Sequence, residues 1–321
     1  WGKIIKRSRD VSKRISKGIE FLMKKNKIDY ILARGKLLGI GKIETTDADG
    51  KIAEISADNI IIATGARAKW FPGMEPDGKQ IITYKEAMIP EKQPKSMVII
   101  GAGAIGVEFA HFYHTFETEV TLVEALPNIL PVEDLDISKE LEKLFKKRKM
   151  NILTNTMGDK IEKLKSKVKV HLESGEIVEA EQALIAVGVQ GNVEDLGLEE
   201  CSITVDKGWI KVNEYLQTSL PNVYAIGDVA GPPWLAHKAS AEGIIAAEHL
   251  AGCNPEPMKY DNIPGCTYCH PEVASVGLTE RAAKEKGYEV KIGNFPFRGL
   301  GKSMAVGDTD GFVKVVYDAK Y

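Results

Sequence analysis

Between Lys95 and Ala125 the chain reads KSMVIIGAGAIGVEFAHFYHTFETEVTLVEA, and no other stretch narrows the possible folds as far. The apolar run Met97 to Ile100 predicts a buried strand. It breaks into Gly101, Gly103 and Gly106 and then into an apolar-periodic helix. In such a strand–turn–helix unit the first glycine permits the tight turn, the second lets backbone approach a pyrophosphate, and the third lets helix pack on strand. The helix amino terminus beyond them offers unpaired amides and a partial positive charge to phosphate. A second predicted strand, Glu119 to Val123, ends in Glu124. That is about twenty residues after the glycines, where a carboxylate accepts ribose hydroxyls. A carboxylate repels a 2′-phosphate, so NAD is expected in preference to NADP. Spaced glycines alone are weak evidence, and a βαβ unit with incidental glycines is the plain alternative. Strand, glycines, helix and acid in register favour the dinucleotide.

Similar punctuation flanks this unit. Asn59 to Arg67 reads NIIIATGAR, an apolar strand breaking at Thr64-Gly65, and Ala183 to Gln190 reads ALIAVGVQ, breaking at Gly188. Asn222 to Gly252 reads NVYAIGDVAGPPWLAHKASAEGIIAAEHLAG; its strand ends in Gly227-Asp228, and a small-residue helix begins near Leu235. An Asp directly after a strand and a glycine is placed to hydrogen-bond a ligand hydroxyl at the carboxyl edge of an open α/β sheet.

With 321 residues the chain is expected to form two or three units. A net charge of -2 gives no global attraction to nucleic acid or to an anionic membrane. No apolar run reaches bilayer length, and WGKIIKRSRDVSKRISKG at the start lacks the apolar core of a secretion signal. There Lys13, Arg14, Lys17, Lys24 and Lys25 alternate with Val11, Ile15, Ile19, Phe21 and Leu22 in a loosely helical period. A surface helix packing one face is expected, rather than a nucleic-acid or membrane element. The four cysteines are too few and too unevenly spaced for a disulfide framework, so a reducing, cytoplasmic location is expected.

One motif points elsewhere. Cys266 to His270 reads Cys-Thr-Tyr-Cys-His, the spacing of covalent haem attachment. A structural zinc site wants four ligands, and no second CxxC or HxxxH lies nearby. A thioredoxin-like pair wants a strand-to-helix turn, whereas Pro264 and Pro271 bracket this one in an extended segment. The expectation is no metal, and two thiols acting as small apolar residues.

Taken in order, ATGAR, GAGAIGVE with Glu124, VGVQGN, YAIGDVAG, LAHKA and GCTYCHPEVASVGLT resemble the flavin-dependent pyridine nucleotide-disulfide oxidoreductases over essentially all of the chain. LAHKA, Leu235 to Ala239, is most similar to the branch that reoxidises dihydrolipoyl groups. The resemblance implies an α/β fold with two Rossmann-like dinucleotide-binding domains, one for FAD and one for NAD, and an α+β interface domain. Its segments would be residues 1–92 (FAD), 93–217 (NAD, inserted), 218–256 (FAD again) and 257–321 (interface). Tyr268 to Ala274 fits the family's entry into the interface domain, which makes the haem spacing incidental.

By the same resemblance the NAD site would use Gly101, Gly103, Ile105 and Gly106 at the pyrophosphate and Glu124 at the ribose. Glu108 would reach the nicotinamide amide, with the backbone near Met157 and Gly188 around the adenosine. For FAD, Gly35 and Ala63-Thr64-Gly65 would line the adenosine and pyrophosphate, Asp228 the ribityl hydroxyls, and Trp234, Leu235, Ala236 and His237 the isoalloxazine. Relatives often carry Arg in place of Val189 and Met in place of Trp234. The implied partners are the lipoyl domain of a 2-oxoacid dehydrogenase complex or glycine cleavage system and a second copy in a homodimer, with no nucleic acid and no membrane. The family's dithiol chemistry needs a CxxxxC disulfide and a His-Glu base, and neither is found in this sequence. The chain is therefore expected to be an internal fragment, with an incomplete FAD domain and a truncated interface domain, and inactive alone. FAD retention is doubtful on this reading, and no catalytic residue is assigned. The alternatives are another flavin disulfide reductase of the family and a non-catalytic NAD-binding fragment.

Overall fold

The structure, a computed structural model, describes residues 1–320. It is mixed α/β and divides into two compact units. One is Trp1–Arg67 with Val189–Tyr260, the other Ala68–Gly188 with the chain from Asp261 onward. The cuts at 67/68, 188/189 and 260/261 differ from the sequence-based boundaries at 92/93, 217/218 and 256/257.

In the unit that contains residue 1, Gly2–Lys25 forms a helix, as the periodicity predicts. The packing expected of its apolar face is not observed. The helix buries no residue, and Ile15, Ile19, Phe21 and Leu22 are all more than half exposed. Periodicity determines which face of a helix is apolar but not what covers it.

A three-stranded antiparallel meander follows, Arg34–Gly39, Lys42–Thr46 and Ile52–Ser56. The strand Ile60–Ile62 then pairs in parallel with Val223–Ala225, far along the chain, in the register Ile60↔Val223 and Ile62↔Ala225. Parallel pairing brings the carboxyl ends of both strands, and so Thr64-Gly65 and Gly227-Asp228, to one edge. Leu37, Ile60, Ile62, Leu198, Val223 and Val229 pack beneath them.

The other unit is built on a five-stranded parallel sheet. Its order is Ile81–Ile82, Gln182–Ile185, Ser96–Ile100, Glu119–Val123 and Asn151–Leu153. The two strands predicted around the glycines are present, and helix Ala104–Thr115 crosses between them. Met97 to Ile99 are at most 1% exposed. Strands buried on both faces read as unbroken apolar runs, which is why this pattern was visible in the sequence. A small antiparallel sheet, Gly158–Lys163, Val168–Leu172 and Ile177–Ala180, packs its apolar side on Ile81, Val98, Ile100 and Val123. Beyond Asp261 come the hairpin Gly265–Thr267 with Val273–Ser275 and the longer antiparallel pair Val290–Pro296 with Phe312–Asp318.

Candidate dinucleotide-binding sites

The glycine loop shows why its residues have no side chains. Gly101 has φ +100, and a Cβ there would lie 2.4 Å from the Ala186 carbonyl oxygen. At Gly106, the third residue of helix Ala104–Thr115, a Cβ would sit 1.9 Å from the Gly101 carbonyl oxygen, so the helix crosses the strand end in direct backbone contact. Gly103, the N-cap, differs: nothing lies within 4 Å of its Cβ position. Two glycines serve the protein's own packing, and the third leaves open space at the helix N-cap, which suits a dinucleotide pyrophosphate.

Glu124 stands directly after its strand and is 7% exposed. Its Oε2 accepts from the Ala102 amide at 2.7 Å and its Oε1 from the Leu126 amide at 2.8 Å. The carboxylate is thus hydrogen-bonded to the glycine loop itself, and each oxygen keeps a lone pair for a ribose hydroxyl. The Thr156 amide donates to the Glu124 carbonyl, which brings the backbone of Met157 alongside; the Met157 side chain is about half exposed. Gly188 follows the Ala186 segment that abuts Gly101, has φ +111, and carries open space at its Cβ position. Ile105 is exposed. Glu108 is engaged: its Oε1 accepts from the Tyr268 amide at 2.8 Å, a link across 160 residues that the sequence did not reveal.

Tyr268 lies between the two cysteines of the haem-like motif, in the turn of the hairpin. Cys269 is buried and its thiol contacts the Pro271 carbonyl at 3.1 Å. Burial pushes it up to about 12, and Cys266 is raised for the same first reason. Thiols held protonated in this way are poor nucleophiles. His270 faces Asp308 at 3.6 Å, and its carbonyl accepts from Arg148. Among the described residues no group of His, Cys, Asp and Glu has the arrangement of a metal site.

In the unit that contains residue 1, the ends of two glycine-broken segments are joined by reciprocal hydrogen bonds. The Thr64 hydroxyl donates to the Asn192 carbonyl at 2.8 Å, the Asn192 side-chain amide donates to the Thr64 carbonyl at 2.9 Å, and the Asn192 amide donates to Gly65 O at 3.0 Å. Arg67 completes the join. It reaches Gly191 O and grips Glu194 through two nitrogens at 2.9 and 2.6 Å, holding the Glu194 carboxyl down at about 2. Asn192 and Glu194 were not singled out from sequence, although they directly follow the VGVQ break.

Asp228 sits in the half-buried 3₁₀ turn Gly227–Ala230 at the same sheet edge, and its carboxylate has no protein hydrogen-bond partner among the described residues. A carboxylate set at the end of a parallel strand and left free to accept suits a hydroxyl-rich ligand such as the FAD ribityl chain. Trp234 is 42% exposed and tilts against Trp209 at a centroid distance of 5.2 Å; Leu235 N-caps helix Ala236–Leu250. Gly35 stands apart, in the meander opposite Thr45. Sequence reasoning also missed the buried pair Lys238 and Glu242, whose only signal was a spacing of four on a helix.

Two sheet edges, one behind a GxGxxG loop and one behind a Gly-Asp turn, carry the features expected of a flavin- and pyridine-nucleotide-binding protein. The chain belongs to the pyridine nucleotide-disulphide oxidoreductase family, which matches residues 2–243, and the family's dimerisation domain matches residues 263–321. Among its curated relatives are the dihydrolipoyl dehydrogenases of Zymomonas mobilis and Rhizobium etli. They are 48% and 45% identical to it over 99% of this chain, which spans 69% and 70% of their lengths. Among solved structures, LpdA from Mycobacterium tuberculosis superposes with a TM-score of 0.93 at 28% identity, over 98% of this chain and 70% of that one. The HOCl-induced flavoprotein disulfide reductase RclA from Escherichia coli superposes at 0.84 with 26% identity, over 96% of this chain and 72% of that one. The family's cofactors are FAD and NAD, and the dimerisation domain supports a homodimer. No helix among the described residues is long and apolar enough to cross a membrane.

Proposed function

We propose that this chain carries the pyridine-nucleotide and flavin contacts of a dihydrolipoyl dehydrogenase. The carrying observation is the glycine loop with its Glu124 anchor, in a chain 48% identical to such an enzyme over nearly its whole length. FAD, when bound, relays the substrate's electrons to NAD as hydride. The chain's own residues bind and orient. Gly101, Gly103, Ile105 and Gly106 would receive the pyrophosphate of NAD, and Glu124 its adenosine ribose. The backbone at Met157 and Gly188 would flank the adenosine. Glu108, held by the Tyr268 amide, would address the nicotinamide amide. Gly35, Ala63, Thr64, Gly65, Asp228 and the Trp234 to His237 segment would contact FAD. The division into residues 1–92 and 218–256 for FAD, 93–217 for NAD and 257–321 for the interface remains our proposal. So are a lipoyl domain as the electron-donating partner and a cytoplasmic location, the latter supported by four free cysteines.

Calorimetric titration with NADH and NADPH tests the nucleotide reading. NADH is expected to bind clearly tighter, and Glu124→Ala to narrow the difference. Equal affinities for the two nucleotides in the unaltered chain would remove the reading.

A further inference from the structure

A Lys and a Glu four residues apart on a helix usually pair at the surface, where the pair contributes about 0.3–0.5 kcal/mol. Lys238 and Glu242 do not: both side chains are 1% exposed, with Nζ 3.1 Å from Oε2. Burial of two charges is tolerated only where further hydrogen bonds satisfy what the pair leaves over.

Most of those bonds go to one short turn. Lys238 Nζ donates to the carbonyls of Gly227 at 2.9 Å and Gly231 at 3.0 Å, so with Glu242 all three of its protons are used. Glu242 Oε2 accepts from the Gly227 amide at 2.7 Å, and its Oε1 accepts from the Tyr260 hydroxyl at 2.8 Å. Gly227 and Gly231 bracket the 3₁₀ turn that bears Asp228. Gly227 has φ +71, and a Cβ there would meet the Ala239 Cβ at 3.3 Å, so the turn lies directly on the helix.

We propose that Lys238 and Glu242 are positioning residues of the flavin site, a buried clamp that grips the Asp228 turn at both ends and sets where its carboxylate stands. This rests on the flavin reading of Asp228 given above. A pair that merely filled the core could be exchanged for apolar side chains without effect on the turn, whereas a clamp could not.

The double variant K238M/E242M separates the two roles, because replacing a buried ion pair with apolar residues of similar size is often neutral for stability. The readouts are amide hydrogen exchange in the unaltered and variant chains and FAD affinity by quenching of flavin fluorescence. The Gly231 N–H, which donates to the Asp228 carbonyl and not to either altered side chain, reports the order of the turn. It is expected to exchange at least about tenfold faster in the variant while helix Ala236–Leu250 keeps its protection, and FAD is expected to bind about tenfold more weakly or worse. Unchanged exchange at Gly231 would overturn the clamp. Faster exchange with unaltered FAD affinity would leave the clamp standing and refute the flavin role of Asp228, as would a D228N variant that binds FAD normally. Should the double variant lose helix content, K238L/E242L gives the same comparison, since it too removes both charges and every bond the pair makes to the turn.

Discussion

Gly106→Ala is a small change that the structure expects to be severe. The new Cβ would lie 1.9 Å from the Gly101 carbonyl oxygen and 3.0 Å from its carbon, with Ala186 Cβ 3.5 Å away. Backbone must separate from backbone by about an ångström before the contact becomes ordinary, and no flexible side chain is available to yield. Gly101 is itself tied to the Val123 carbonyl at 2.8 Å, so either the helix lifts from the sheet or that strand end shifts. Overpacking of this kind costs about 1–3 kcal/mol, and the upper value applies where both parties are main chain. At about 2–4 °C per kcal/mol for a unit of this size, Tm should fall by about 6–12 °C. An ångström of displacement at the helix amino terminus also spoils amide alignment with a pyrophosphate, and NADH affinity should drop about a hundredfold. Gly103→Ala is the matched control. Its φ of -69 suits alanine and its Cβ meets nothing within 4 Å, so Tm should hold while NADH binding still weakens. Differential scanning calorimetry and NADH titration of both variants check this. A Gly106→Ala chain with unaltered Tm, or a Gly103→Ala chain binding NADH as well as the parent, would refute the division of labour among the glycines.

Three further outcomes follow from the geometry. Burial works against ionisation of Asp77, but the amides of Ile81, Lys79 and Gln80 and the Lys163 ammonium hold it at about 2, below its ordinary 3.8. A lowered carboxyl stabilises above its unfolded value, so this contribution is present above about pH 4 and is lost as pH falls toward 2. Asp77→Asn should flatten that part of the acid unfolding curve, measured by circular dichroism. Iodoacetamide at neutral pH should label exposed Cys253 well before buried Cys269, as peptide mass spectrometry can resolve. Lipoamide-dependent reduction of NAD by this chain alone should stay at the blank, since none of its cysteine pairs has the CxxxxC spacing; turnover would show that a different dithiol route operates.

The NAD-side loop was legible because its constraints are local. Gly101, Gly103 and Gly106 answer to steric limits within a few residues of themselves, and the apolar strands behind them are buried on both faces. The Thr64-Gly65 and Gly227-Asp228 ends were legible one at a time, but their meeting depends on a parallel pairing between distant segments, and nothing in either run encodes its partner. Lys238 and Glu242 were illegible for a sharper reason. Four-residue spacing of opposite charges is the pattern of a solvated helix face, and only the tertiary fold turns that face inward. The helix at Gly2–Lys25 fails in the opposite direction, since its amphipathic period promises a packed side and yet none of its residues is buried. The Tyr268 amide on Glu108 belongs to main chain, where sequence patterns say nothing of destination.

The Thr64–Asn192 bonds join residues 128 positions apart, and just inside them the Lys69 amide donates to the Gly188 carbonyl at 3.0 Å. The stretch between those residues therefore leaves and returns at one point, like a bead on a closed loop. Contacts of such long range ordinarily make folding slow, because loop closure must precede any reward. Here the intervening stretch can shorten its own loop by folding first, bringing Arg67 and Val189 together before the outer sheet pairs. The same closeness of ends makes this the natural seam for recombination: the Ala68–Gly188 segment, taken together with the chain beyond Asp261 that packs in the same unit, could be exchanged for that of a relative with little demand on the strands joined by the Thr64–Asn192 bonds.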